Sequence, residues 1–140
     1  FLVIIGIAAR SQEDNYLKSP SPPANQAVEY WQQKFNYPIE TWAEGDLNND
    51  GKNDTIIIYR LDKNRCMMCA VVSSPDGYFI TEPERAPVSG QQIEFKDIDK
   101  TLPVEVIVSG NKNGNVGYAI FRLENQKLIN LFGENFHSCC

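Results

Sequence analysis

Four cysteines and one acidic loop hold the residues of this 140-residue chain whose types and spacing could do chemistry. Cys66 and Cys69 form a CxxC, and Cys139 and Cys140 are the last two residues. Thiolate is the reactive form of cysteine, and a nearby cation favours it. Arg65 directly precedes Cys66, and His137 stands just before the terminal pair. A carboxylate beside Cys140 acts in the opposite direction and raises a thiol's pKa. Residues close to a chain end contribute little to a core. The terminal pair is therefore expected to be open to partners, oxidants and soft metals.

The CxxC is ambiguous. In a thioredoxin-type site the motif opens a helix after a strand, whereas Cys66-Met-Met-Cys69 runs straight into Ala70-Val-Val72. On a regular strand positions 66 and 69 face opposite sides, so the two sulfurs meet only across a turn or bulge. Met67 and Met68 read as core filler. Three readings stand. In the first, Cys139 or Cys140 attacks a disulfide and its neighbour, or Cys66 and Cys69, resolves the intermediate. In the second, two or more of the thiols, with His137, hold a soft ion such as Zn²⁺ or Cu(I). In the third, disulfides pin the C-terminal tail to a sheet. Four cysteines allow three complete pairings, and sequence does not choose among them. A 139–140 bridge would close a strained, easily reduced ring.

The acidic loop runs Asp46-Leu-Asn48-Asn-Asp50-Gly51-Lys52-Asn-Asp54. Oxygen-bearing side chains at alternate positions, followed by Gly, let a tight loop wrap a hard cation. The expected ligands for Ca²⁺ are Asp46, Asn48, Asp50, the Lys52 carbonyl and Asp54. An EF-hand would need Glu at position 12 and a following helix; here Ile57 holds that position in a β-branched run. The loop instead resembles the calcium loops of FG-GAP and integrin-type propeller repeats, with Asn48 in place of one Asp. The resemblance implies a structural ion. An Asn/Gly turn held by its own side chains is the alternative. A fainter echo, Lys96-Asp97-Ile-Asp99, leads into a second β-branched run and keeps only two of the acids, so no second ion is expected there.

These residues need a scaffold. Val28, Trp31 and Phe35 recur at helical spacing, with Asn25 as N-cap and Pro38 as a stop. From Thr41 onward, short β-runs alternate with turn residues. Strands are expected at 41–44, 55–61, 67–73, 78–81, 93–95, 104–109, 117–123 and 127–132, joined largely by hairpins. The tract 82–92 reads as a link between two related halves. The fold class expected is mainly β (α+β): two blade-like antiparallel units with one N-terminal amphipathic helix. Two blades cannot close a propeller, so the units must cover one another while the helix caps an open face.

A net charge of -5 and a pI near 4.8 argue against nucleic acid as a partner. Residues 1–9 are apolar and too short to span a bilayer. They read as the remnant of a signal peptide or membrane anchor, and 10–23 as a Pro-rich linker. Residues 24–140 then form one domain, expected to be extracytoplasmic, either secreted or tethered through the N-terminus. No phosphate-binding loop or zinc-protease motif is present, and hydrolase chemistry is not expected.

Taken together, the DxNxDG loop, the internal CxxC and the final Cys139-Cys140 resemble the Cys-Cys-COOH (seleno)protein family called SaoC. In that family selenocysteine can replace a terminal cysteine. The resemblance implies redox or soft-metal chemistry at the terminus and a redox or transport-system protein as partner. Two functions are carried forward: a thiol–disulfide oxidoreductase with a structural calcium loop, and a non-enzymatic binding module stapled by Ca²⁺ and disulfides.

Overall fold

The computed structural model describes residues 25–131. The expected anchor and linker, His137 and the pair Cys139-Cys140 lie outside the described residues. Helix α1 spans Gln26–Lys34. Its start follows from Asn25, whose side-chain oxygen accepts the Val28 N–H at 2.9 Å and satisfies one of the orphan donors of the first turn. The same amide donates to Glu44 Oε1 (2.6 Å) and Thr55 Oγ1 (3.3 Å), which ties the cap to the sheet below. Ala27, Val28 and Trp31 are buried. Phe35 departs from expectation: it is the extended C-cap, 40% exposed, with its ring against Trp31 at 5.3 Å. The helix ends at Lys34, ahead of Pro38, so Phe35 no longer has a helical position from which to join the buried stripe.

The strands are β1 (Ile39–Gly45), β2 (Asp54–Asp62), β3 (Arg65–Ser74), β4 (Gly77–Ile80), β5 (Glu84–Ala86), β6 (Ser89–Lys96), β7 (Glu105–Lys112), β8 (Asn115–Glu124) and β9 (Lys127–Asn130). All pairings are antiparallel. The first sheet has the order β1-β2-β3-β4, with β5 also on β3, and the second has the order β6-β7-β8-β9. The chain is thus mainly β, with one helix and two antiparallel units among the described residues. The link 82–92 is more ordered than its Pro and Gly content suggests, because it contains β5 and the first half of β6.

Strand alternation sorts the core into two layers. Ile56, Ile58, Met68, Ala70 and Val72 face the second sheet and meet Val106, Val108, Ala119 and Phe121. Ile57, Tyr59, Cys69 and Val71 face the other way, onto Val28 and Trp31 of α1. Tyr59 and Trp31 lie with ring centroids 4.9 Å apart. Because β2 is buried on both faces, Thr55-Ile-Ile-Ile-Tyr59 reads as a continuous apolar run. At the seam between the units, a Cβ on Gly45 would lie 2.6 Å from the Phe95 ring, so only glycine admits that aromatic.

The duplication is structural. The N–H of Thr81, just after β4, donates to Ala70 O, and the N–H of Leu131, just after β9, donates to Ile120 O. Asn49 and Lys100, each three residues past the first Asp of its acidic loop, both take positive φ, 58° and 62°. The units stack in the same sense. One face of the first meets the opposite face of the second, and α1 covers the first unit's remaining face. The second unit's remaining face carries Ile129 and Val116, 38% and 82% exposed.

Candidate cation loop and internal cysteines

The first acidic loop joins β1 to β2. Asp46 accepts from the Asp50 N–H (3.1 Å) and the Gly51 N–H (2.8 Å), and Asp50 accepts from the Lys52 N–H (2.9 Å). Gly51 sits at φ 83°, a conformation that a side chain would strain. The Asn48 amide points between the two aspartates, its inward atom 3.0 Å from Asp50 Oδ1 and 3.1 Å from Asp46 Oδ1. With nitrogen inward, the amide donates to both carboxylates. With oxygen inward, three oxygens converge, an arrangement that needs a cation between them. Asp46, Asn48 and Asp50 therefore fit a hard cation in donor type and convergence.

Asp54 departs from the expected ligand set. It is fully buried, and its two oxygens accept from Leu47 N (2.8 Å) and Ser73 N (3.0 Å). Burial raises its pKa, with the charges of Asp50 and Asp46 adding to the effect and the two amides opposing it. Its carboxylate thus locks the loop onto β3, and Leu47 is pressed into the inter-sheet core. Lys52 enters the loop through its N–H on Asp50.

The second loop holds a site that sequence comparison missed. Asp97, Asp99 and Glu105 bring carboxylate oxygens within 4.8 Å of one another. Glu105 begins β7 as Asp54 begins β2, and its Oε2 lies 3.4 Å from the Ile98 N–H, matching the bond from Leu47 N to Asp54. The Arg122 guanidinium pairs with Asp99 and, at 3.0 Å, with Glu105, whereas Asp97 Oδ1 is buried with no hydrogen-bond partner among the described residues. The Thr101 N–H and then Arg122 hold the Asp99 carboxyl below the usual carboxylate range, and the Glu105 hydrogen bond raises Arg122. The signal available in sequence was the acid at the same interval after Asp97 as Asp54 after Asp46.

The structure separates Cys66 from Cys69. The β2–β3 ladder runs unbroken from Arg60↔Cys66 to Ile57↔Cys69, without the turn or bulge a bridge requires. Cys66 joins the inter-sheet cluster and Cys69 the helix-side cluster, and both are free thiols. They are not a dithiol and cannot share a metal ion in this fold, which corrects the expectation of a joint resolving or ligating pair. Burial pushes Cys69 up to about 12, opposed by a hydrogen bond from Trp31. Burial also raises Cys66, with Arg60 opposing. Cys66 lies at the wall of a surface pocket of about 450 Å³ lined by Leu61, Arg65, Met67, Arg85 and Val88. High thiol pKa values mean little thiolate near neutrality and low reactivity. Among the described residues, no helix is long and apolar enough to cross a membrane. Comparison with family models, with curated proteins and with solved structures finds no match.

Proposed function

We propose that this domain is a non-enzymatic binding module whose first loop is stapled by a divalent cation, Ca²⁺ being the ion its oxygen donors suit. The observation that carries the reading is the convergence of Asp46, Asn48 and Asp50 on one point, beside a carboxylate, Asp54, that anchors the loop to β3. An ion there would neutralise acids whose mutual repulsion otherwise loosens the turn. It would hold the β1–β2 connection but carry out no reaction. The Lys52 carbonyl remains a candidate further ligand. The test is calorimetric titration of Ca²⁺ into the chelator-stripped full chain. One-to-one binding that is lost in both Asp46→Asn and Asp50→Asn supports the reading, and an absence of binding by a folded wild-type chain removes it.

A second reading retains thiol redox chemistry, now restricted to Cys139 and Cys140. What favours the restriction is the burial of Cys66 and Cys69 on opposite faces of β3, which leaves the terminal neighbours to resolve one another. Such a protein would work outside the cytoplasm with a redox or transport-system partner. Mass mapping after alkylation across glutathione buffers decides it: the terminal pair must titrate within the glutathione range while Cys66 and Cys69 stay unreactive.

A further inference from the structure

Helix α1 covers only part of the outer face of the first sheet. Its nine residues reach Ile57, Tyr59, Cys69 and Val71. Tyr37, just after the helix, stacks on Tyr59 with ring centroids 5.5 Å apart. Beyond Tyr59 the cover ends. Leu61 and Met67 border the helix-side cluster and stay half-buried, and Arg85 on β5 lies directly opposite Met67 in the ladder. Residues so opposed on antiparallel strands present their side chains to the same face. With Val88 they line the pocket of about 450 Å³, a size within the range of small-molecule sites, about 300–1,000 Å³. Its floor is aliphatic and thioether, and a methionine adapts to apolar ligands of varied shape.

The walls of this pocket are fixed and charged. Arg60 donates from Nη2 to Val88 O (2.6 Å) and from Nη1 to Asp62 O (3.3 Å) and Lys63 O (3.1 Å). One side chain thus ties the β2–β3 turn on one side of the pocket to the β5–β6 link on the other. The lining holds two guanidiniums, Arg65 and Arg85, and no carboxylate, although the chain as a whole carries a net charge of -5. Arg65 donates through Nε to Asp62 at 2.7 Å, which leaves its terminal nitrogens unpaired among the described residues. The Arg85 guanidinium has no hydrogen-bond or ion-pair partner among the described residues. A planar guanidinium matches a carboxylate bidentately. Inorganic phosphate would meet the charge but leave the apolar floor uncovered. We infer that the pocket binds a small organic carboxylate, its anionic group on Arg85 beside Arg65 and its apolar body on Met67, Leu61 and Val88.

The pocket stands at the far end of β2 from the cation loop, so the inference goes beyond that loop and does not depend on it. Its test is an NMR titration of the full chain with hexanoate, with hexanol and inorganic phosphate as controls. The expected result is saturable one-to-one binding that shifts the Met67 and Val88 methyl signals and is tighter than either control. Loss of the charge-assisted hydrogen bonds in Arg85→Gln should weaken it at least about tenfold. Arg85 is exposed and pairs with no described side chain, so this variant keeps the fold, which its circular dichroism spectrum checks. Absence of saturable binding by the folded wild type overturns the inference, as does equal hexanoate affinity in Arg85→Gln. Hexanol or phosphate binding at Met67 as tightly as hexanoate also overturns it. So do Met67 shifts that depend on protein concentration without hexanoate, which would place a second copy of the chain there.

Discussion

At the scale of single residues, the three aspartates of the first loop do different work. Asp54 satisfies two backbone donors in the interior, whereas Asp46 and Asp50 organise the exposed part of the turn. Asp54→Ala leaves the Leu47 and Ser73 amides without an acceptor. At about 1–3 kcal/mol per unsatisfied buried group, urea unfolding should show a loss of roughly 2–6 kcal/mol with or without Ca²⁺. Asp50→Asn should cost little in the chelated protein and abolish the response to Ca²⁺. Cys69 gives a pH prediction. Its folded pKa is raised from 9.0 to about 12, so the native state holds a proton that the unfolded state releases. The associated stability is complete below pH 9 and is lost as pH rises towards 12, at about 1.4 kcal/mol per unit. Denaturant midpoints across that window should fall more steeply for the wild type than for Cys69→Ala.

At the scale of elements, the pairing of strand and turn was legible in the sequence because each acidic loop is followed by a β-branched run and each hairpin by its own turn residues. What could not be read there was register. The link 82–92 holds β5 because β3 is longer than β4 and has an uncovered edge, a fact that belongs to the sheet and not to the local residues. Phe35 was misplaced for a related reason: helical spacing continued on paper after the backbone had become extended. The CxxC shows the value of periodicity, since alternation alone required opposite faces unless a bulge intervened, and the ladder has none there. Arg122 was missed because a strand residue over twenty positions beyond the loop it serves leaves no local pattern, whereas Glu105 left only its interval from Asp97. Arg122→Met would leave Glu105 buried without its cation, and the double variant Arg122→Met/Glu105→Met removes both charges. The expectation is a lower urea midpoint for the single variant and partial recovery in the double.

At the scale of the whole molecule, two similar units differ in whether the chain itself supplies a cation to the acidic loop. The second supplies its own from Arg122, and the first converges oxygens that suit an ion from solution. The units are held together by the inter-sheet core and by close passages at glycine. A Cβ on Gly110 would lie 2.5 Å from Pro87 Cβ and 2.8 Å from Ser89 O, where the chain crosses between sheets. Gly110→Ala should force that crossing apart and cost about 1–3 kcal/mol, with both sheets melting together in a single transition followed by fluorescence and circular dichroism. The most direct measurement of the central claim is thermal unfolding of the full chain in chelator and across a Ca²⁺ series. A staple predicts a melting temperature that climbs with Ca²⁺, reaching about 2.7 kcal/mol of added stability at one hundred times the dissociation constant, and no climb in Asp50→Asn. A folded wild-type chain whose melting temperature is the same in chelator and in millimolar Ca²⁺ would contradict it.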